Sequence, residues 1–324
     1  MPLEIKNLQT SFHLRKNVIQ AVRGVSFTAK SNEVSGIVGE SGSGKSVLAL
    51  SLLRLLPQPP TKINGQAFID NIDLVTCSDS QIRSIRGRRV SMIFQDPLSA
   101  FNPYMRLVDQ LIEPLQFHSK TGRKEAIELA TDLLARTGIS NVKSKITAYP
   151  HEFSGGMLQR AMIAMALISK PEFLIADEIT TALDVTTQAQ ILDLLKMFQR
   201  QYSLSILFIT HNLAIASSFC DRIHVMYAGK IFESATTATL FKNTAHPYTK
   251  ALIRCVPSLD KPVDSLYIIG GPPYDPAHPP EGCPFAGRCE YCTTLCQSTS
   301  CTLEEVASGH FSACIRVRKG EISV

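Results

Sequence analysis

The stretch EVSGIVGESGSGKS, residues 33–46, decides the fold. Its first half, EVSGIVG, has the pattern of a short strand that runs into a glycine-rich turn. Beyond it, Leu48, Leu52 and Leu55 recur at the spacing of one helix face, and a proline-rich stretch follows. A strand, a glycine-rich turn and a helix in this order predict an α/β fold.

The turn itself, GESGSGKS at residues 39–46, matches the pattern G-x-x-x-x-G-K-[ST]. Its glycines allow a tight turn in which backbone N–H groups point at phosphate oxygens. In this motif the lysine bridges the β- and γ-phosphates and the last residue binds Mg²⁺. Because a strand and a helix flank the motif, we predict a nucleotide site in preference to a chance glycine-rich loop. The predicted contacts come from Gly39, Ser41, Gly42, Gly44, Lys45 and Ser46.

Short apolar runs alternate with helical patterns along the rest of the first 255 residues. Further buried strands are predicted at residues 89–94, 173–177 and 204–210. Helical patterns such as KEAIELATDLLARTGI fill residues 97–170, which indicates a helical subdomain inserted into the α/β domain. Another amphipathic helix is marked by an apolar stripe at Ile191, Leu194, Leu195 and Phe198.

Two carboxylates end one of these predicted strands. In FLIADE, residues 173–178, four apolar residues lead into Asp177 and Glu178. At such a place Asp177 would hold Mg²⁺, directly or through water, and Glu178 would polarise the attacking water. An acidic strand end that faces solvent is the alternative, but the apolar run favours a buried strand that reaches a site.

The order of further motifs resembles the ATP-binding subunit of ABC transporters. SGGM at residues 154–157 precedes FLIADE by one helix length, Gln95 ends one predicted strand, and His211 follows another. The resemblance implies that Gln95 senses Mg²⁺ and contacts a membrane subunit, and that His211 contacts the γ-phosphate. It therefore implies ATP hydrolysis by a P-loop NTPase core.

The same resemblance assigns residues that act across a dimer. It implies that Ser154, Gly155 and Gly156 complete the ATP site of the partner subunit. A serine that caps a helix and two glycines also suit a close approach to phosphate. Ala182, Leu183 and Asp184 match the D-loop that communicates across the dimer. Phe12 stands where the family stacks an aromatic ring on adenine, although a core position explains it equally well.

Several segments narrow the resemblance to the ATPases of oligopeptide and dipeptide importers. They are YPHEFSGGM, IADEITTALDVTTQAQIL, VMYAGKIFE, HPYTKAL and GCPFAGRC. The match is to the first of two paired ATPases, the D-type subunit. It implies a heterodimer with a second ATPase, two transmembrane permeases, an extracytoplasmic substrate-binding protein and a peripheral location on the cytoplasmic face of the inner membrane. The alternatives are an importer for a related substrate such as nickel, a soluble non-transport ABC ATPase, and a regulatory module without turnover.

Three positions depart from the family pattern. Met157 replaces glutamine in the signature, Ile179 replaces the proline after the catalytic glutamate, and Asn212 replaces the aspartate after the switch histidine. All three lie beside the chemical groups and leave those groups intact, so hydrolysis is still expected.

The cysteines divide the chain. Six of nine fall within residues 283–314, after a proline-rich stretch that begins at Pro257. We therefore place a boundary near residue 255 and predict a small cysteine-rich extension over residues 256–324. In a reducing compartment such a cluster indicates metal ligation before disulfides, with free or paired thiols as the alternative. The three scattered cysteines, Cys77, Cys220 and Cys255, are predicted to be small buried hydrophobes.

The family resemblance implies a [4Fe–4S] cluster in the extension. The implied ligands are Cys283, Cys289, Cys296 and Cys314. Four thiolates suit iron–sulfur and tetrahedral zinc equally well, so zinc is the alternative. Cys292 and Cys301 are extra thiols.

Composition and charge limit the partners and the location that the sequence allows. Lys and Arg number 33 against 28 Asp and Glu, a net charge of +5 that is too small to indicate a nucleic-acid partner. No apolar run approaches the ~18 residues of a membrane span, and the N-terminal stretch does not have the pattern of a secretory signal. The sequence is therefore expected to be cytosolic.

Overall fold

A computed structural model describes residues 1–181, 183–256 and 267–324. Its contacts divide the chain into two compact units. The helical unit comprises Met1, Lys30–Asn32 and Cys77–Phe208, and the loop unit comprises Pro2–Ala29, Glu33–Thr76 and Ile209–Val324. Ala182 of the expected D-loop and residues 257–266 of the proline-rich stretch lie outside the described residues.

Most of the described strands belong to the loop unit. In chain order they are β1 (Leu3–His13), β2 (Val18–Ala29), β3 (Val34–Val38), β4 (Thr61–Ile69), β5 (Ile72–Asp73), β6 (Val90–Ile93), β7 (Phe173–Asp177), β8 (Ser205–Thr210), β9 (Arg222–Tyr227), β10 (Lys230–Thr236), β11 (Glu304–Ala307) and β12 (His310–Ser312).

The longer helices lie in the helical unit. In chain order the helices are α1 (Lys45–Leu52), α2 (Asp79–Ile85), α3 (Pro97–Ala100), α4 (Leu107–Ser119), α5 (Arg123–Arg136), α6 (Val142–Lys145), α7 (Gly155–Leu167), α8 (Val185–Tyr202), α9 (Leu213–Phe219), α10 (Thr237–Lys242), α11 (Pro247–Arg254), α12 (Thr294–Ser298) and α13 (Ile315–Arg318). Short 3-10 turns occupy Pro150–Glu152 and Ala286–Arg288.

Two sheets build the loop unit. One is antiparallel, with strand order β2-β1-β4-β5. In the other, β3 pairs in parallel with β9, and β9 pairs antiparallel with β10. Every residue of β3 is buried, Ser35 included, so the strand does not show the alternation of a half-buried strand. The strand leads directly to the phosphate loop, as the sequence predicts.

The cysteine-rich extension continues this second sheet. β12 pairs with β10, with Ser312 opposite Glu233, and β11 pairs with β12. A buried side-chain hydrogen bond ties the same strands together, since Nε2 of His310 lies 2.8 Å from Oε1 of Glu233. The extension is therefore joined to the strand next to β9 by backbone and side-chain contacts.

An aromatic cluster fills the seam between the extension and α11. The ring of Phe285 lies 5.2 Å from that of Tyr248 and 5.6 Å from that of Tyr227, centroid to centroid. Tyr248 and Phe285 are among the largest fully buried side chains. Rings at these distances contribute beyond their buried area, so the seam has the packing of a core.

Helices occupy most of the segment in which the sequence shows helical patterns. Helices α3 to α7 span residues 97–167, close to the predicted 97–170. β6 pairs in parallel with β7, and β7 has the predicted bounds. α8 buries all four residues of its predicted stripe: Ile191, Leu194, Leu195 and Phe198.

Two local predictions are wrong. α1 ends at Leu52, so Leu55 lies beyond the helix, because the backbone turns at Arg54 with a positive φ of 50°. Cys220 is buried as expected, but Cys77 and Cys255 are partly exposed. Neither of these two packs as the small core residue that their isolation in the sequence indicated. The boundary near residue 255 stays a prediction.

In the part of the chain that the structure describes, no helix has both the length and the apolar character that crossing a bilayer requires.

We expect Phe198→Ala to destabilise the helical unit. Phe198 is fully buried on α8, and the Arg136 guanidinium stacks over its ring at 5.1 Å. Truncating a buried phenylalanine costs about 3 to 5 kcal/mol, so thermal unfolding should begin at a clearly lower temperature. The matched control is Met197→Ala at the next position, where 42% of the residue is exposed. Equal melting temperatures for the two variants would contradict the packing of α8.

Candidate nucleotide site

The phosphate loop lies against the backbone of two strands. Gly44 begins α1 with φ of 101°, and a Cβ there would meet the Ala21 carbonyl oxygen at 2.3 Å. A Cβ on Gly39 would meet the Met226 carbonyl oxygen at 2.0 Å. Glycine is thus required at both places, by backbone geometry at Gly44 and by close approach at both.

The lysine of the motif is held inside the loop. Lys45 is 4% exposed, and its Nζ donates to the carbonyl oxygens of Gly39, at 2.9 Å, and Glu40, at 3.0 Å. Ser46 follows in the first turn of α1 and is half-buried, whereas Ser41 and Gly42 are exposed at the tip of the loop. The positive charge therefore lies where the motif places phosphates.

Glu40 has contacts that the sequence did not indicate. Its backbone N–H donates to the Tyr248 hydroxyl at 3.0 Å. Its carboxylate accepts two hydrogen bonds from Arg288, at 2.8 and 3.1 Å. Tyr248 and Arg288 occur within HPYTKAL and GCPFAGRC, but nothing in those segments shows what they contact.

His211 belongs to the loop unit, like the phosphate loop, and follows β8. It is exposed, and the next residue, Asn212, caps α9 by accepting from the backbone N–H groups of Ala214 and Ile215, at 3.0 and 3.2 Å. Asparagine caps helices about as well as aspartate. The departure at Asn212 therefore preserves the turn that carries His211.

The helical unit brings two of the predicted catalytic residues together. Nε2 of Gln95 donates to Oε2 of Glu178 at 3.1 Å. Asp177 and Glu178 are 4% and 8% exposed at the end of β7, and Ile179 is 1% exposed behind them. Burial thus holds both acids at the strand end, as predicted, and the amide of Gln95 fixes one of them.

The signature and D-loop residues are helix caps. Ser154 precedes α7 and accepts from the Met157 N–H at 3.4 Å, so Gly155 and Gly156 form the first turn. Asp184 caps α8 and accepts from the Thr187 N–H at 2.9 Å and its hydroxyl at 2.6 Å. These hydrogen bonds lower the pKa of Asp184, which therefore stays ionised.

Phe12 lies on β1, where it is half-buried opposite Ile19 of β2. This position fits an adenine-stacking ring and a core residue alike, so both interpretations stay predictions.

The four predicted cluster ligands line one small cavity. Cys283, Cys289, Cys296 and Cys314 surround it together with Cys301, and all the described cysteines are free thiols. Burial raises the pKa of Cys289 to about 11 and also raises the pKa of Cys314. These thiols are therefore neutral unless a positive charge joins them.

The structure brings the four thiols to one cavity without forming a metal site. No three His, Cys, Asp or Glu side chains converge closely enough to hold a metal ion anywhere in residues 1–181, 183–256 and 267–324. The expected [4Fe–4S] cluster and its zinc alternative therefore stay predictions. By donor type, four thiolates suit both equally well.

Known proteins resemble the chain over most of its length. The family described as ABC transporter matches residues 22–181, and the oligopeptide/dipeptide transporter C-terminal region matches residues 232–296. The dipeptide transport ATP-binding protein DppD of Bacillus subtilis is 48% identical over 91% of this chain and 88% of its own. The oligopeptide transport ATP-binding protein OppD of Escherichia coli is 40% identical over 97% of this chain and 93% of its own.

Solved structures support the same fold. A dimeric ATP-binding cassette in a post-hydrolysis state, bound to ADP and phosphate, is 26% identical to the chain. The TM-score is 0.65, and the alignment covers 72% of this chain and 98% of that one.

We expect Gly39→Ala to abolish binding of a fluorescent ATP analogue, because the added methyl group would force the loop away from the Met226 carbonyl. The matched control is Gly122→Ala, since Gly122 has φ of −60° and no heavy atom within 4 Å of the added Cβ. The affinity of the control should equal that of the wild type. Unchanged affinity in Gly39→Ala would show that the loop does not approach β9 as described.

Proposed function

The chain belongs to the family of ABC transporter ATP-binding proteins, and we propose that it is the ATP-hydrolysing subunit that energises peptide import. The observation that carries this proposal is an identity of 40 to 48% to ATP-binding proteins named for dipeptide and oligopeptide transport. The match extends to residues 232–296, which are similar to the C-terminal region of oligopeptide and dipeptide transporters.

Nucleotide binding in this proposal is the task of the phosphate loop. Backbone N–H groups at the start of α1 face the phosphates, and the helix dipole adds to their attraction. Lys45 exchanges its loop carbonyls for phosphate oxygens when ATP enters. Ser46 and Asp177 are the proposed Mg²⁺ ligands, with Gln95 as an additional sensor.

Hydrolysis is the proposed task of Glu178 and His211. Glu178 accepts a proton from, or orients, the attacking water, and the hydrogen bond from Gln95 holds its carboxylate in place. His211, exposed at the end of β8, contacts the γ-phosphate. The link between Gln95 and Glu178 gives a path by which contact with a membrane subunit can influence the position of the catalytic carboxylate.

The signature residues act on a partner in this proposal. Ser154, Gly155 and Gly156 present the start of α7 to a nucleotide held by a second ATPase subunit, and Asp184 lies at the shared boundary. Two permeases and a substrate-binding protein complete the importer. The chain is then peripheral, on the cytoplasmic face of the membrane.

The extension is proposed to hold a [4Fe–4S] cluster on Cys283, Cys289, Cys296 and Cys314. What supports this is four cysteines on one cavity in a segment too short to form a large apolar core. When bound, the cluster would supply cross-links among the segments of residues 283–314 that carry the four cysteines. The thiolates would hold it beside the buried ring of Phe285.

We expect Glu178→Gln to separate binding from turnover. In a complex reconstituted with the second ATPase and the permeases, the variant should bind ATP like the wild type and lose on the order of 10²-fold or more of its hydrolysis rate. Glu172→Gln is the matched control, because Glu172 is an exposed acid immediately before the same strand and pairs with Arg89. Its rate should be that of the wild type.

Two outcomes would contradict this function. Wild-type turnover in Glu178→Gln would show that Glu178 is not the catalytic carboxylate. Full activity of the isolated chain, independent of its concentration, would remove the need for a second ATPase.

Anaerobic purification tests the cluster. The protein should be brown, absorb broadly near ~400 nm and contain about four irons per chain. Cys296→Ser should remove the iron and lower the melting temperature while ATP-analogue binding is retained. Cys77→Ser, a cysteine outside the extension, should keep the full iron content. A colourless protein with one zinc, or one without metal, would reject the cluster.

A further inference from the structure

An ion pair connects the cysteine-rich extension to the phosphate loop within the loop unit. Nη1 and Nη2 of Arg288 donate to the two carboxylate oxygens of Glu40, at 2.8 and 3.1 Å. The Arg288 side chain is 9% exposed and that of Glu40 is 30% exposed. A bidentate, largely buried pair of this kind fixes both the distance and the orientation of its partners.

Arg288 is itself held rigidly. Its Nε donates to the Gly270 carbonyl at 2.9 Å, and Nη2 donates to the Ile269 carbonyl at 3.3 Å. Nη1 also donates to the Tyr227 hydroxyl at 3.2 Å. An arginine guanidinium stays protonated in proteins, and these hydrogen bonds hold it in a fixed position.

Glu40 passes this constraint on to the loop. Its carbonyl oxygen accepts from Nζ of Lys45 at 3.0 Å and from the N–H of Ser43 at 3.2 Å. Its own N–H donates to the Tyr248 hydroxyl. Any movement of Glu40 therefore moves the groups that organise the loop around the ammonium of Lys45.

The charge of Glu40 gives the pair a second role. A carboxylate in a loop that binds a triphosphate repels the ligand unless a cation neutralises it. Arg288 supplies such a cation, in contact with this carboxylate.

We propose that Arg288 is a positioning residue for nucleotide binding, through which the C-terminal extension holds the phosphate loop in its binding form and neutralises Glu40. This rests on the proposed nucleotide site and assigns part of its affinity to a residue outside the ATPase motifs. Arg288 does not touch the reacting atoms, so it acts through Glu40.

The test compares affinities of the full chain for a fluorescent ATP analogue with Mg²⁺. Arg288→Gln should weaken binding about tenfold, because it leaves a partly buried carboxylate unpaired beside the phosphates. In an E40Q background the same substitution should change affinity less than about twofold, since no charge is left to neutralise. The matched control is Arg254→Gln, which breaks the Arg254–Glu290 pair between α11 and the extension and should bind like the wild type.

The outcomes separate this proposal from the function it rests on. A wild-type chain that does not bind the analogue would remove the nucleotide site itself. A wild-type chain that binds, with Arg288→Gln binding equally well, would overturn only the role of Arg288. Equal losses with and without Glu40 would show that the arginine acts by general stability and would also overturn it. If Arg288→Gln does not fold, Arg288→Lys keeps the charge without the bidentate geometry and should weaken binding about threefold; wild-type affinity in that variant would overturn the proposal.

Discussion

The phosphate loop lies so close to β2 and β9 that a single methyl group on Gly39 or Gly44 would collide with a backbone carbonyl. This steric constraint ties the loop to the strands around it. β9 must stay in place for the loop to have its shape, and β9 is held by β3 on one side and β10 on the other. β10 in turn pairs with β12 of the extension. The geometry of a short motif near the N-terminus thus depends on a sheet that is completed near the C-terminus.

Helix caps recur at the residues that the family resemblance assigns to function. Ser154, Asp184 and Asn212 each begin a helix with a side-chain oxygen that accepts backbone N–H groups. A capping side chain fixes the first turn, and the first turn is where unpaired N–H groups face outward. The same residue therefore shapes the local backbone at the start of its helix. The capping role also explains why an amide in place of a carboxylate at Asn212 leaves the turn intact, since an amide oxygen accepts the same hydrogen bonds.

The sequence could predict those features that depend on residues close together in the chain. The phosphate loop, the bounds of β7 and the buried stripe of α8 follow from local spacing and hydrophobicity, and the structure has them where expected. The family resemblance added Gln95, whose contact with Glu178 joins residues 83 apart. The pair of Arg288 and Glu40 joins residues 248 apart, and no local pattern records such a contact. The prediction that Leu55 lies on α1 was wrong, because the helical spacing of the leucines continues past the point where the backbone turns.

The small strands β11 and β12 have a consequence for solubility. With β12 removed, β10 would present a row of unpaired N–H and C=O groups, and open edges of this kind template aggregation. The strand that replaces it at the border, β11, spans Glu304–Ala307 and begins with two glutamates that are exposed. Negative charge on an edge strand discourages pairing with another chain. The extension therefore ends the sheet in a form that a neighbouring molecule cannot readily continue.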